Sequence, residues 1–225
     1  MKTSRTVLIT GATGMVGKGV LLECLDSPVV SQVILVSRSS VGFSHPKIKE
    51  ILLSDLTKIS EKVAEIPQLD AVFYCMGVSA VGMDEAKYTS LTFDPVKAFV
   101  DLIFKQSPQA CFIYVSGAGT DSSEKGSMMW ARVKGKTENY VLKKGFREAY
   151  AFRPGVIIPE KGVQAKVPWY NTAYKILRPF FPLMKKSKSI TTTIRIGQAM
   201  LSVMGKGFPK THLGNTEINE IAQNQ

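Results

Sequence analysis

Cysteine, histidine and long apolar runs are all scarce in this 225-residue sequence, and each shortage removes a class of protein. The three cysteines, Cys24, Cys75 and Cys111, are odd in number and widely spaced, which excludes a disulfide framework. Cys24 and Cys111 read as core residues, and Cys75 as a strand-end residue able to line a site. His45 and His212 have no neighbouring ligand types, and no zinc spacing exists, so no metal site is expected. The most apolar late stretch, Ile176 to Met184, is short and broken by Arg178, Pro179 and Pro182, which argues against an integral membrane segment. Val7-Leu8-Ile9 is too short for the apolar core of a secretory leader and runs straight into glycines. A cytoplasmic location is the expectation that remains.

Acidic residues are scarce in the second half. Residues 1–124 carry 11 Lys/Arg against 13 Asp/Glu, whereas residues 125–225 carry 18 against 5, giving a formal net charge of +11. Such asymmetry suits nucleic acid, an anionic membrane surface, or an anionic cofactor and substrate. The chain has no zinc finger, basic zipper or aromatic-interleaved basic strand, so nucleic acid is not an expected partner. Attraction for phosphates is the more economical account. Trp169-Tyr170 through Lys188, with Lys175, Arg178, Lys185, Lys186 and Lys188, has the composition of a membrane-surface segment. Pro179 and Pro182 break any long amphipathic helix there, which favours a substrate lobe or an oligomer contact instead.

Hydrophobic residues make up 44% and charged residues 21%, which excludes whole-chain disorder and leaves room for one α/β domain with a full core. Short β-branched runs alternate with amphipathic stretches, the pattern of a parallel sheet with crossover helices. Strands are predicted at Thr6–Thr10, Val33–Val36, Ile48–Leu53, Asp70–Cys75, Cys111–Val115 and Tyr150–Arg153. Helices are predicted over Gly14–Leu25, from Asp94 as N-cap with Pro95 at the first helical position through Ile103, and over about Met128–Lys144. Ile190 to Met204 reads as a strand entering a helix, and the tail is polar. A doubly wound parallel sheet of the Rossmann kind follows. Residues 1–158 would form its dinucleotide-binding core and residues 159–225 a small C-terminal substrate or partner lobe of the same domain.

The strand Thr6–Thr10 ends at Gly11-Ala12-Thr13-Gly14-Met15-Val16-Gly17. Glycine spacing alone is weak evidence, but here an apolar strand precedes it and an amphipathic helix and second strand follow. Gly11 permits the tight turn, Gly14 lets pyrophosphate approach the backbone, and Gly17 lets the helix pack close to the sheet. Amides at the helix N-terminus would then face the phosphates. At the end of the second strand an acidic residue would bind a ribose 2′-hydroxyl, whereas arginine pairs with a 2′-phosphate. The chain has Ser37-Arg38 there, and no acidic residue before Glu50. Arg38 offers a planar fork for phosphate, and Ser37 and Ser39 offer hydroxyl donors. The expected cofactor is NADP rather than NAD.

These segments, together with Ser54-Asp55-Leu56, Tyr74-Cys75-Met76-Gly77, Tyr114-Val115-Ser116, Val133-Lys134-Gly135-Lys136-Thr137-Glu138 and Phe152-Arg153-Pro154-Gly155-Val156, resemble the short-chain dehydrogenase/reductase superfamily in its extended or atypical branch. The Cys-Met-Gly, Val-Lys-Gly and Arg-Pro-Gly-Val segments are similar to those of the HIV Tat-interacting oxidoreductase group. The resemblance implies that Asp55 and Leu56 lie near the adenine, and Cys75, Met76 and Gly77 beside the adenosine ribose. It places Pro154, Gly155 and Val156 beside the nicotinamide and gives Lys134 the nicotinamide ribose hydroxyls.

Catalysis in that superfamily uses a tyrosine four residues before the lysine, whose phenol exchanges a proton while hydride moves. This chain has Trp130 in that position, and an indole N–H donates a hydrogen bond but is no acid near neutral pH. Ser116 ends the fifth strand, while the usual catalytic hydroxyl falls at Gly117. Ser116, Thr120, Asp121, Ser122 and Tyr88 are the side chains able to substitute, though no motif places them. The expectation is an NADP(H)-binding oxidoreductase with an altered active site acting on a small substrate. The alternatives are a non-catalytic NADP(H)-sensing module working through a protein partner or homo-oligomer, and a nucleotide-sugar epimerase or dehydratase.

Overall fold

A computed structural model describes residues 4–163, 179 and 181–224. Trp169, Tyr170, Lys175 and Arg178 of the aromatic and basic stretch lie outside the described residues. Seven strands, β1 (Arg5–Thr10), β2 (Val30–Ser37), β3 (Ile48–Leu52), β4 (Ala71–Tyr74), β5 (Cys111–Val115), β6 (Glu148–Arg153) and β9 (His212–Gly214), form one sheet in the order β3-β2-β1-β4-β5-β6-β9. Every neighbouring pair in it is parallel. β7 (Val156–Ile158) and β8 (Ile190–Thr192) make a separate parallel pair.

A parallel sheet covered by helices on both faces has strands apolar throughout rather than alternating. β1 obeys: Val7, Leu8 and Ile9 are fully buried, with Val7 and Ile9 turned to one face and Leu8 to the other. On the Val7 side pack α1 (Met15–Asp26), α4 (Thr193–Lys206) and α5 (Asn215–Gln223), through Val20, Leu21, Ile196, Met200 and Ile218. On the Leu8 side pack a 3₁₀ stretch (Leu56–Glu65), α2 (Glu85–Gln106) and α3 (Met129–Lys143), through Ile59, Val96, Phe99, Val100 and Val141. The sheet is therefore doubly wound, and its strand order reverses between β1 and β4, where such folds open a crevice at the carboxyl ends of the strands.

α2 departs from expectation. Its N-cap is Asp84, whose carboxylate accepts from the Lys87 amide at 2.7 Å, and Pro95 sits inside the helix rather than at its start. An interior proline costs about 3 kcal/mol. Tyr88, Thr92, Pro95, Val96, Phe99, Val100 and Ile103 are all buried on one stripe, and a single large apolar side chain contributes about 1.5–3 kcal/mol when buried. Burial of the whole stripe outweighs the local penalty.

The polar tail also departs. His212–Gly214 pairs with Ala151–Arg153 as the seventh strand, and α5 buries Ile218 and Ile221 in the common core. Within the described part of residues 159–225, α4, β9 and α5 thus complete the main layers, while β8 pairs with β7 outside the main sheet.

Candidate functional site

Gly11 ends β1 with a φ of +71°, a conformation that L side chains rarely adopt. A Cβ built there would stand 2.7 Å from the Met76 amide nitrogen, so the turn also passes close against the chain leaving β4. The Gly14 amide donates to the Gly11 carbonyl at 2.8 Å, closing the turn. Gly14 is the N-cap of α1 and no side chain caps the helix, so the amides of its first turn are not taken up by a capping side chain. At Gly17 a Cβ would lie 2.3 Å from the Gly11 carbonyl oxygen, so the missing side chain lets α1 sit directly on the glycine turn that ends β1. Met15 and Val16 open the helix, with Val16 packed against the core.

This turn forms one wall of a cleft of about 130 Å³ lined by Gly11, Thr13, Gly14, Val36, Ser37, Arg38, Ser39, Leu56, Cys75, Met76 and Gly77. The structure thereby brings together four stretches that are far apart in sequence, around Gly11, Ser37, Leu56 and Met76. Ser39, expected with Ser37 as a hydroxyl donor, is among the lining residues; Val36 is the one that sequence reasoning did not assign to the site, and its place just before Ser37-Arg38 at a strand end was the available signal. No carboxylate is among the lining residues, and Arg38 is exposed at the rim. Ser37 is buried, and its hydroxyl donates to the Ser39 carbonyl at 2.7 Å, so that proton is used within the turn. Asp55 is not in the lining. Its carboxylate caps the 3₁₀ stretch, accepting from the Thr57 amide at 3.0 Å and hydroxyl at 2.6 Å, bonds that hold its pKa below the ordinary aspartate value.

Further along the carboxyl edge, Lys134 on α3 donates from Nζ to the Ser116 carbonyl. Burial pushes the Lys134 ammonium below the ordinary lysine range, and the neighbouring Glu138 carboxylate works the other way. Gly117 is beside it: with φ +131°, its Cβ would lie 3.8 Å from Lys134 Nζ and 3.8 Å from the Pro154 carbonyl. Trp130, one turn before Lys134, is half-buried with its ring against Gly119. Pro154 is buried, whereas Gly155 and Val156 are exposed. Asn215 secures that segment, accepting from the Gly155 amide at 3.1 Å and donating to the Val156 carbonyl at 3.1 Å and the Ser189 carbonyl at 2.6 Å. Its position in a polar tail gave no sign of this.

The hydroxyls and the carboxylate named from the sequence as possible substitutes in this region have other surroundings in the fold. Ser116 is buried, and its Oγ donates to Glu138 and lies 3.2 Å from the Phe152 carbonyl. Thr120 donates to the Gly117 carbonyl at 2.8 Å. The Asp121 carboxylate organises its own loop, accepting from Ser123 Oγ at 2.6 Å and the Gly126 amide at 2.7 Å. Ser122 Oγ accepts from Arg153. Tyr88 is buried, and desolvation raises its phenol pKa.

Three comparisons bear on this arrangement. Residues 7–120 match the model of the NAD dependent epimerase/dehydratase family. The chain is 26% identical over 168 residues to Protein HTATIP2 of Rattus norvegicus, covering 74% of this chain and 68% of that one. It is 27% identical over 168 residues to Protein FMP52, mitochondrial, of Candida albicans, covering 69% of each. Among solved structures, the Bordetella bronchiseptica enzyme WbmF in complex with NAD+ superposes with a TM-score of 0.70 at 12% identity, over 99% of this chain and 78% of that one. The last likeness establishes the fold. Among the described residues no helix is long and apolar enough to cross a membrane.

Proposed function

The chain belongs to the NAD dependent epimerase/dehydratase family, and from that membership we propose that it is a cytoplasmic NADP(H)-binding oxidoreductase of the short-chain dehydrogenase/reductase kind, with an altered acid–base centre and a small-molecule substrate. The observation that carries the reading is the cleft at the sheet's switch point, which has a glycine turn on one wall, Arg38 on its rim and no carboxylate in its lining. The cradle suits a pyrophosphate: Gly14 presents bare backbone at the start of α1, where the aligned amides favour an anion. When bound, the dinucleotide supplies the hydride donor or acceptor. The chain's own part is to bind phosphates with the first-turn amides and to meet a 2′-phosphate with the Arg38 guanidinium. Lys134 holds the nicotinamide ribose hydroxyls. Calorimetric titration with NADPH and NADH tests this. NADPH is expected to bind at least about tenfold tighter, a difference of about 1.4 kcal/mol; equal affinities would remove the assignment to NADP.

A second reading is favoured by Trp130 and Gly117 standing at the two positions where the resemblance puts the catalytic phenol and hydroxyl, and by the surroundings of Ser116, Thr120, Asp121, Ser122 and Tyr88. On it the protein binds NADP(H) without turning over substrate and reports cofactor state to a partner. Steady-state assays of the parent and Trp130→Tyr against a carbonyl panel separate the two: turnover by the variant alone makes the parent a binder.

A further inference from the structure

Glu138 is fully buried, with a relative exposure of 0%, and is one helical turn beyond Lys134 on α3. A carboxylate in that setting is stable only when its oxygens are closely met by donors and a counter-charge. Here Ser116 Oγ donates to Oε1, Arg153 Nε donates to Oε1 at 2.9 Å, and a second Arg153 nitrogen donates to Oε2. His212 Nε2, from β9, stands 3.7 Å from Oε2. Ser116 is the junction: its hydroxyl is held by Glu138 while its carbonyl receives the Lys134 ammonium. One buried group therefore ties the ends of β5 and β6 to the face of α3 that carries the lysine.

We propose that Glu138 is a positioning residue for Lys134: it anchors Ser116, and so fixes the carbonyl on which the ammonium is seated, and it sets a carboxylate one helical turn from that ammonium. The inference rests on the reading of Lys134 as the ribose-binding residue only for its consequence in cofactor affinity. The geometry itself belongs to the chain alone. The charged and titratable groups turned toward this spot are Glu138 from α3, Tyr114 from β5, Arg153 from β6 and His212 from β9. Arg153 neutralises Glu138 but is not seated on the Ser116 carbonyl, so removing the carboxylate leaves Lys134 facing an uncompensated guanidinium.

The test is a pH titration of Lys134 in the cofactor-free protein, followed by NMR of protein carrying [ε-¹³C]lysine, with the resonance assigned by its loss in Lys134→Arg. In Glu138→Gln the Lys134 midpoint is expected to move to lower pH, and NADPH affinity at neutral pH to weaken about tenfold. Ser116→Ala, which keeps the carbonyl and the carboxylate, is expected to weaken affinity with a smaller movement of the midpoint. A midpoint unchanged in folded Glu138→Gln overturns the proposal. Should Glu138→Gln fail to fold, Glu138→Met combined with Arg153→Met removes both charges at similar volume, a replacement that buried pairs often tolerate. A smaller downward movement is expected there, because the carboxylate is lost without leaving the guanidinium behind, and none would equally overturn it. Failure of the parent to bind NADPH would defeat the cofactor reading while leaving the Lys134 titration decisive for Glu138.

Discussion

The indole of Trp130 lies against Gly119: a Cβ built on that glycine would stand 3.2 Å from Cη2 of the ring. The tryptophan therefore occupies space that a glycine vacates, on the first turn of α3 and one turn before Lys134. This is a packed arrangement rather than an isolated exchange, and it bears directly on what the site can do.

Replacing Trp130 with tyrosine puts a titratable phenol one helical turn from the Lys134 ammonium. General acid catalysis by a placed side chain contributes about 10²–10⁴-fold. Trp130→Tyr is accordingly expected to raise NADPH-dependent carbonyl reduction by about 100-fold over the parent, measured by loss of reduced-cofactor absorbance. Adding Gly117→Ser is expected to cost stability, because φ at 117 is +131° and a side chain there is strained.

Arg38 at the cleft rim is expected to decide cofactor choice. Arg38→Glu places a carboxylate where a 2′-phosphate would lie and should weaken NADPH binding by about 2–3 kcal/mol, the loss of a charge-assisted hydrogen bond, while leaving NADH nearly unchanged. Titrations of both dinucleotides check it; equal losses for the two would show that Arg38 does not read the phosphate.

Gly135 faces the Asp121 carbonyl so closely that a Cβ would stand 1.7 Å from that oxygen. Gly135→Ala must push α3 away from the 121–126 loop, and overpacking of this kind costs about 1–3 kcal/mol or more. A lowered midpoint in urea unfolding is the expected result. NADPH affinity should fall with it, since Lys134 is on the displaced helix.

Asp101 on α2 accepts from Lys97 at 2.7 Å, from Lys144 and from Tyr140. Burial, the largest single influence, works to raise its pKa, but these donors outweigh it and bring it down to about 2 from 3.8. A carboxyl held below its unfolded value contributes stability above that value and loses it as pH falls through the folded one. The stability gap between the parent and Asp101→Asn is therefore expected to be constant above the ordinary value of 3.8 and to close as pH falls toward about 2. Denaturant unfolding at a series of pH values checks this; a gap that persists at the acid end would mean the donors act through packing rather than charge.

Much of the frame was legible in the chain itself. β1, β2, β4, β5 and β6 each contain a continuous apolar run because both faces of a parallel sheet are covered, and such runs need no partner to be recognised. The glycine turn was legible for a related reason: strand, turn and helix are contiguous, so their chemistry is local. Pro95 misled because its penalty is local while the stripe that outweighs it, from Tyr88 to Ile103, is buried only against the sheet and α3. The three-residue strand at His212 carries no periodicity at all and exists through its pairing with Ala151–Arg153.

What the sequence determined by itself was the layered α/β architecture and the position of the phosphate turn, since both follow from neighbours in the chain. The tertiary structure alone decided the use of each side chain at the site. Ser116 shares a strand end with the glycines beside it, yet its hydroxyl belongs to Glu138, 22 positions away, and its carbonyl to Lys134. Hydrogen bonds and ion pairs act over a few ångströms, and which groups come that close is settled only when α3 docks on the carboxyl ends of β5 and β6.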